Sequence, residues 1–168
     1  MRIYLLGYMG SGKSTFGRML AKALNLSYID LDKYIEERNC KTVAQLFGDF
    51  GEDFFRKKER IALAEVSQFT DVVIATGGGA PCFFDNMAIM NQTGITIFMD
   101  ITPKALVKRL LASKTERPLI KGKSKEELLQ FVEENLEKRR PFYMQAQIHT
   151  GENPQMVENI LAALREKK

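Results

Sequence analysis

Gly7-Tyr8-Met9-Gly10-Ser11-Gly12-Lys13-Ser14 stands between the apolar run Ile3-Tyr4-Leu5-Leu6 and a segment of helical spacing. The octet fits G-x-x-x-x-G-K-[S/T], and a strand before it with a helix after it is the context that pattern needs. Its glycines let the backbone curl so that successive N–H groups point inward at phosphate oxygens, and the following helix adds the positive end of its dipole. Lys13 supplies a mobile cation for β- and γ-phosphates, and the Ser14 hydroxyl is a ligand for Mg²⁺. A turn that merely joined a strand to a helix has no use for a lysine and a hydroxyl at that spacing. Residues Gly10, Ser11, Gly12, Lys13, Ser14 and Thr15 are therefore expected to hold the phosphates of a nucleoside triphosphate.

Outward from this loop, apolar runs of strand length alternate with helical periodicity, the pattern of βαβ units around a parallel sheet. Strands are expected at Arg2 to Leu6, Leu26 to Ile29, Asp71 to Ala75, Thr93 to Met99 and Ala146 to Thr150. Between the first two, Phe16, Met19, Leu20, Ala23 and Leu24 form one apolar stripe. Thr42-x-x-Gln45 and Ser124-x-x-Glu127 read as capping boxes, and Thr102-Pro103 puts a proline at a first helical position. Further apolar faces are Leu106, Val107, Leu110 and Leu111; Leu128, Val132 and Leu136; and Val157, Ile160, Leu161 and Leu164. Met9 and Met144 read as packing residues. Ala112 to Lys123 carries Lys114, Arg117, Lys121 and Lys123 around Pro118 and Gly122, with no apolar period, and is expected to be a mobile basic loop.

Composition bounds the class. The 168 residues suit one domain, and 45% hydrophobic with 27% charged residues is the balance of a globular chain. No run reaches the roughly 18 apolar residues of a membrane span. The N-terminus enters strand-like sequence directly, so neither a signal peptide nor a membrane is expected and the chain is placed in the cytoplasm. Cys40 and Cys82 read as free thiols of a reducing compartment. The net charge of +4 comes from dispersed Lys and Arg, which fits an anionic small molecule and not nucleic acid. His149, the only histidine, is assigned no role.

In an open parallel sheet, ligands sit beyond the carboxyl ends of the strands. The phosphate loop follows the first strand. Asp30-Leu31-Asp32 follows the second, where helix capping is an equally simple use for the pair. Thr76-Gly77-Gly78-Gly79 follows the third, and its missing side chains would let a ligand touch backbone.

With these motifs on the page, the chain resembles the shikimate kinase family over nearly its whole length. GYMGSGKST at 7 to 15, YIDLD at 28 to 32, GEDFFRKKE at 51 to 59, ATGGG at 75 to 79, ERPL at 116 to 119 and KRRPFY at 138 to 143 occur in that family's order and spacing. The resemblance implies an α/β, three-layer fold of the nucleoside-monophosphate-kinase group of P-loop NTPases, a five-stranded parallel sheet with helices on both faces. It implies transfer of the ATP γ-phosphoryl group to the 3-hydroxyl of shikimate, a step toward aromatic amino acids. One kinase domain over 1–168 is expected, with a lid at about 112–124 and an acceptor-binding segment at about 32–60.

By the same resemblance, Arg56 and Arg139 bind the acceptor's carboxylate, and Gly77, Gly78 and Gly79 offer it backbone N–H groups. Asp32 accepts a hydrogen bond from the reacting hydroxyl and so orients it, with proton acceptance left open as a second role. Asp30 holds one Mg²⁺ through a bound water. Arg117 swings onto the phosphates from the lid, so Lys13, Asp32 and Arg117 form the catalytic set. Arg140 falls in the variable position of R-x-P. Arg109 is a candidate to stack on adenine. Where many relatives carry an arginine near the base, this chain has Thr150-Gly151-Glu152-Asn153-Pro154, so Gln155 or backbone is expected there instead. Partners are ATP and shikimate, and a monomer is expected because lid motion demands no partner. Another kinase of the same fold, such as a gluconate kinase or a nucleoside-monophosphate kinase, leaves the combined Asp32, Arg56, Gly-triplet and Arg139 set unexplained. A GTPase-like switch would need N-K-x-D, whereas Asn91-Gln92-Thr93-Gly94 lacks both the lysine and the aspartate. The intact Lys13, Asp32 and Arg117 oppose an inactive binding module.

Overall fold

The first strand, β1 (Arg2–Leu6), alternates between two cores. Ile3 and Leu5 join one apolar cluster, while Tyr4 and Leu6 join another. All four are inaccessible to solvent, as expected where helices cover both faces of a parallel sheet. In the computed structural model, which describes residues 1–114, 117–152 and 154–167 and leaves out the side chains of Pro118, Pro154, Gln155 and Met156, the chain forms α1 (Lys13–Leu24), β2 (Ser27–Asp30), α2 (Leu31–Asn39), α3 (Val43–Phe50) and α4 (Glu52–Val66). There follow β3 (Val72–Ala75), α5 (Asn86–Thr93), β4 (Ile95–Met99), α6 (Pro103–Ala112), α7 (Lys125–Tyr143), β5 (Ile148–Thr150) and α8 (Pro154–Glu166), with short 3-10 turns at Ala80–Cys82 and Pro118–Ile120.

The sheet order is β2-β3-β1-β4-β5, and every pairing is parallel. The parallel sheet expected from the alternation, and the three-layer α/β fold implied by the resemblance, are therefore what forms. From β1 the chain crosses to β2 on one side, and from β3 it crosses to β4 on the other. This reversal opens a crevice above the carboxyl ends of β1 and β3. No helix among the described residues is long and apolar enough to cross a membrane.

Tertiary packing moves several edges. β2 runs one residue later than expected, so Asp30 pairs with Ala75 at the last rung. β4 starts at Ile95, because Thr93 closes α5 and Gly94 follows against the Arg2 carbonyl, where a β-carbon would stand 2.7 Å from that oxygen. On α1 the buried face is Phe16, Gly17, Leu20, Ala21 and Leu24. Met19 and Ala23, expected within that stripe, are exposed, because Gly17 and Ala21 let the helix lie closest to the sheet along their side. Leu111 is likewise exposed while Leu106, Val107 and Leu110 are buried, and Met144 is exposed instead of packed. The Thr42 box is complete in both directions. At Ser124 the side chain accepts the Glu127 N–H, and Thr102 accepts the Ala105 N–H ahead of Pro103.

A β-carbon on Gly17 would stand 2.6 Å from Tyr28 Cε2 and 3.0 Å from Leu5 Cδ1. The ring and the buried leucine have little room to retreat. Gly17→Ala is expected to destabilise the protein by about 1–3 kcal/mol, read as a lowered urea midpoint with unchanged m-value.

Candidate active site

Between β1 and α1 the chain makes the curl that its glycines permit. Gly10 and Gly12 have φ of 81° and 89°, a left-handed conformation that side chains resist. Gly12 occupies the N-cap of α1 and supplies no side-chain hydrogen bond. The first-turn amides of α1 therefore lack a side-chain cap and are ready for an anion. Lys13 Nζ folds back over the loop and donates to the carbonyls of Gly7 at 2.6 Å and Tyr8 at 3.0 Å. Arg109, from the last turn of α6, donates to the Ser11 carbonyl at 2.9 Å. These contacts hold the loop's carbonyls away from the ligand side. A cavity of about 390 Å³ opens beside it, lined among others by Gly10, Gly12, Lys13, Ser14, Thr15, Asp30, Asp32, Gly77, Gly78, Arg109 and Arg117.

The cavity gathers unbalanced positive charge. Burial pushes the Lys13 ammonium down to about 8, with Asp32 opposing the shift and the charges of Arg117 and Arg139 adding to it. Arg117 thus stands near enough to the lysine to repel it, and its Nε is buried with no hydrogen-bond partner among the described residues. An anion is the natural complement to both.

The acidic exit from β2 divides its labour. Asp30 Oδ1 caps α2 by accepting the Lys33 N–H at 3.2 Å, so the simpler capping use of the pair holds for one oxygen. Its second oxygen has no hydrogen-bond partner among the described residues. Asp30 and Ser14 both line the cavity, and hard oxygen donors of this kind suit magnesium. Among the described residues no group of three or more His, Cys, Asp and Glu side chains could hold a metal alone. That donor set fits an ion that arrives with its phosphates. Asp32 sits in the first turn of α2, where burial and then the charge of Asp30 raise its pKa against the pull of Lys13.

The three glycines after β3 each abut a charged side chain, and Gly77 also meets Glu59, whose Oε2 would lie 3.3 Å from a β-carbon there. A β-carbon on Gly77 would stand 2.9 Å from Asp32 Oδ1; on Gly78, 3.1 Å from Arg139 Nη1; and on Gly79, 2.7 Å from Arg56 Nη1. The same point on Gly78 lies 3.5 Å from the Gly7 carbonyl and 3.6 Å from the Met9 nitrogen, so this strip of backbone also touches the phosphate loop. Asp32, Arg139 and Arg56, far apart in sequence, therefore meet along one bare edge next to the phosphate site. Arg56 and Arg139 do not line the cavity around the phosphate loop; they adjoin it through Gly79 and Gly78.

The two arginines are held differently. Arg56 is buried on α4, paired with Glu59 at 2.9 Å and with Glu52 at 3.4 Å, and its guanidinium lies 4.1 Å from the Phe83 ring centroid. Arg139 has no carboxylate partner among the described residues and lies 5.3 Å from the centre of the Tyr8 ring. Its neighbour Arg140 is engaged by both oxygens of Asp100 at 2.9 and 2.8 Å.

Sequence reasoning overlooked Glu59, Tyr8 and Tyr143. Glu59 is 1% exposed, its Oε2 has no hydrogen-bond partner among the described residues, and burial raises it to about 7 despite Arg56. Its spacing of three from Arg56 on one helix was the available signal. The Tyr143 hydroxyl donates to the Gly78 carbonyl, pinning the glycine strip to the end of α7. His149 stays outside the site, bonded to the Ala146 carbonyl at 3.0 Å. Cys40 and Cys82 are free thiols. The Gln155 side chain and Asn153 lie outside the described residues, so the candidate base contacts there have no geometry.

The shikimate kinase family model matches residues 9–167. The chain belongs to the shikimate kinase family. A shikimate kinase of Bacteroides fragilis is 56% identical over 146 residues, 87% of this chain and 82% of that protein. One from Aquifex aeolicus is 38% identical over 167 residues, 98% of this chain and 96% of its own length. The crystal structure of shikimate kinase from Bacteroides thetaiotaomicron superposes with a TM-score of 0.91 at 49% identity, covering 99% of this chain and 97% of that one. Shikimate kinase from Acinetobacter baumannii, solved in complex with shikimate, gives 0.85 at 31% identity, covering 99% and 94%. A gluconokinase from Sinorhizobium meliloti gives 0.62 at 18% identity, a likeness of fold alone.

A family member whose loop lysine sits near 8 when empty must take up a proton as phosphates bind above that value, since the anion favours the charged lysine. ATP affinity is expected to fall as pH rises through about 8. Calorimetry at pH 8.5 in buffers of different ionisation enthalpy should show proton uptake on ATP binding, lost in Lys13→Met.

Proposed function

We propose that this chain transfers the γ-phosphoryl group of ATP to the 3-hydroxyl of shikimate, giving shikimate 3-phosphate for aromatic amino acid synthesis. The observation that carries the reading is the meeting of Asp32, Arg139 and Arg56 on three successive glycines beside the phosphate loop. Shikimate is a carboxylate bearing three hydroxyls, and this edge offers cations at one end and an acid at the other. Arg139, without a carboxylate partner among the described residues, takes the acceptor's carboxylate through two parallel hydrogen bonds. Arg56 shares its five donors between Glu59, Glu52 and the ligand. The Gly77–Gly79 backbone then lies along the acceptor ring.

Asp32 accepts a hydrogen bond from the 3-hydroxyl and receives its proton as the oxygen attacks the γ-phosphorus and the bond to the ADP oxygen breaks. Its raised pKa brings it nearer to that task than an ordinary surface aspartate. Lys13 and the first-turn amides of α1 hold the phosphate oxygens, and Arg117 meets the charge on the moving group. Ser14 and, through a water, Asp30 are the residues that would hold one Mg²⁺, which supplies positive charge to the phosphate oxygens. Arg109, against the phosphate loop, reaches toward the nucleotide. Residues at about 112–124 act as a lid that excludes water, those at about 32–60 form the acceptor-binding segment, and the whole works as one monomeric domain. The free Cys40 and Cys82 suit a reducing cytoplasm.

Coupled ADP-release assays with shikimate and with gluconate test the reading: turnover is expected with shikimate, and turnover with gluconate alone would sink it. Arg139→Ala should raise the KM for shikimate about 10- to 100-fold with a much smaller change in kcat. Asp32→Asn should lower kcat by about 10²–10⁴ while acceptor binding persists. Wild-type behaviour in both variants would put the acceptor pocket elsewhere.

A further inference from the structure

Beneath the phosphate loop lies a phenol that the reaction above does not use. Tyr28 precedes Asp30 by two residues on β2, so the two side chains leave the same face of the strand. Its ring presses on α1 where Gly17 leaves room, with Cε2 at 2.6 Å from the position a β-carbon would take. The Arg18 guanidinium sits 5.3 Å from the ring centre. Gly17 and Arg18 follow Ser14 by three and four residues, so Ser14 projects from that same side of α1. The phenol thus stands among the helix face that carries Ser14 and the strand end that carries Asp30. Both reach it: the Ser14 side chain stands within hydrogen-bonding reach of the phenol, and the Asp30 charge acts on it from the strand end.

The Tyr28 hydroxyl oxygen is nevertheless buried, and no hydrogen bond of good geometry, to Ser14 or to any other described residue, satisfies it. A ring that only filled the space beside Gly17 would do so as phenylalanine, without the cost of burying an unpaired hydroxyl. The orphaned group lies next to the two side chains whose oxygens suit a cation, which is where supporting hydrogen bonds orient ligands.

We infer that Tyr28 is a positioning residue for the cation end of the phosphate site: with the ion bound, its oxygen would accept the Ser14 O–H, turning a Ser14 lone pair toward the ion, and its own O–H would serve the Asp30 side. The inference rests on the magnesium reading given above. Tyr28 touches neither substrate nor reacting atoms, and it acts through Ser14 and Asp30.

Tyr28→Phe removes the hydroxyl and keeps the ring. ADP binding is measured by calorimetry with and without Mg²⁺ on the parent and the variant, alongside thermal unfolding of both ligand-free proteins. Metal-free ADP should bind both equally, whereas the tightening that Mg²⁺ produces should shrink about 3- to 10-fold in the variant. The ligand-free variant should unfold at the same or a higher temperature, because an orphaned hydroxyl has been removed. An undiminished Mg²⁺ effect in Tyr28→Phe overturns the inference and leaves the magnesium reading standing. Equal weakening with and without metal, together with a lower unfolding temperature, overturns it in favour of a packing role. No Mg²⁺ effect in the parent removes the magnesium reading and this inference together.

Discussion

Charged side chains from α2, α4 and α7 reach one edge of the sheet because the backbone they converge on is bare. At Gly77, Gly78 and Gly79 a single methyl group would meet the Asp32 carboxylate, the Arg139 guanidinium or the Arg56 guanidinium. The strip is in turn held from behind, by the Tyr143 hydroxyl on the Gly78 carbonyl and by the parallel rungs of β3 with β1 and β2. Phosphate loop, acid and arginines therefore share one short rigid element, and the distances that phosphoryl transfer needs follow from sheet geometry.

That crowding has an electrostatic consequence. Arg117 and Arg139 both repel the buried Lys13, while Asp32 and Glu59 are both raised by burial. The site's own side chains thus leave both signs of charge poorly satisfied. A triphosphate and a carboxylate would relieve the cations, and a hydroxyl would give Asp32 a donor. Ligand binding and charge relief would then be the same event, which is how such a site can select anions.

Much of the fold was legible in the chain. β1 was found to the residue, since its four buried positions form a short apolar run followed by the glycine curl. The Thr42 and Thr102 caps were equally local. Errors fell where two elements compete for one surface. Met19, Ala23 and Leu111 satisfy helical period as well as their neighbours do, yet Gly17 and Ala21 decided which side of α1 approaches the sheet. Period alone cannot rank small residues above large ones, because close approach of backbones is a property of the pair.

The candidate site shows the same division. Sequence by itself determined the phosphate loop, since a strand, a glycine curl, a lysine and a helix are consecutive and their chemistry is local. The family's motifs also named Asp32, Arg56 and Arg139 singly. Only the tertiary structure decided that these three face successive glycines, that Arg140 is taken by Asp100 and that Glu59 and Tyr28 each bury an oxygen unsatisfied among the described residues. Burial and partnership are set by which distant elements pack together, and no stretch of chain contains its own neighbours.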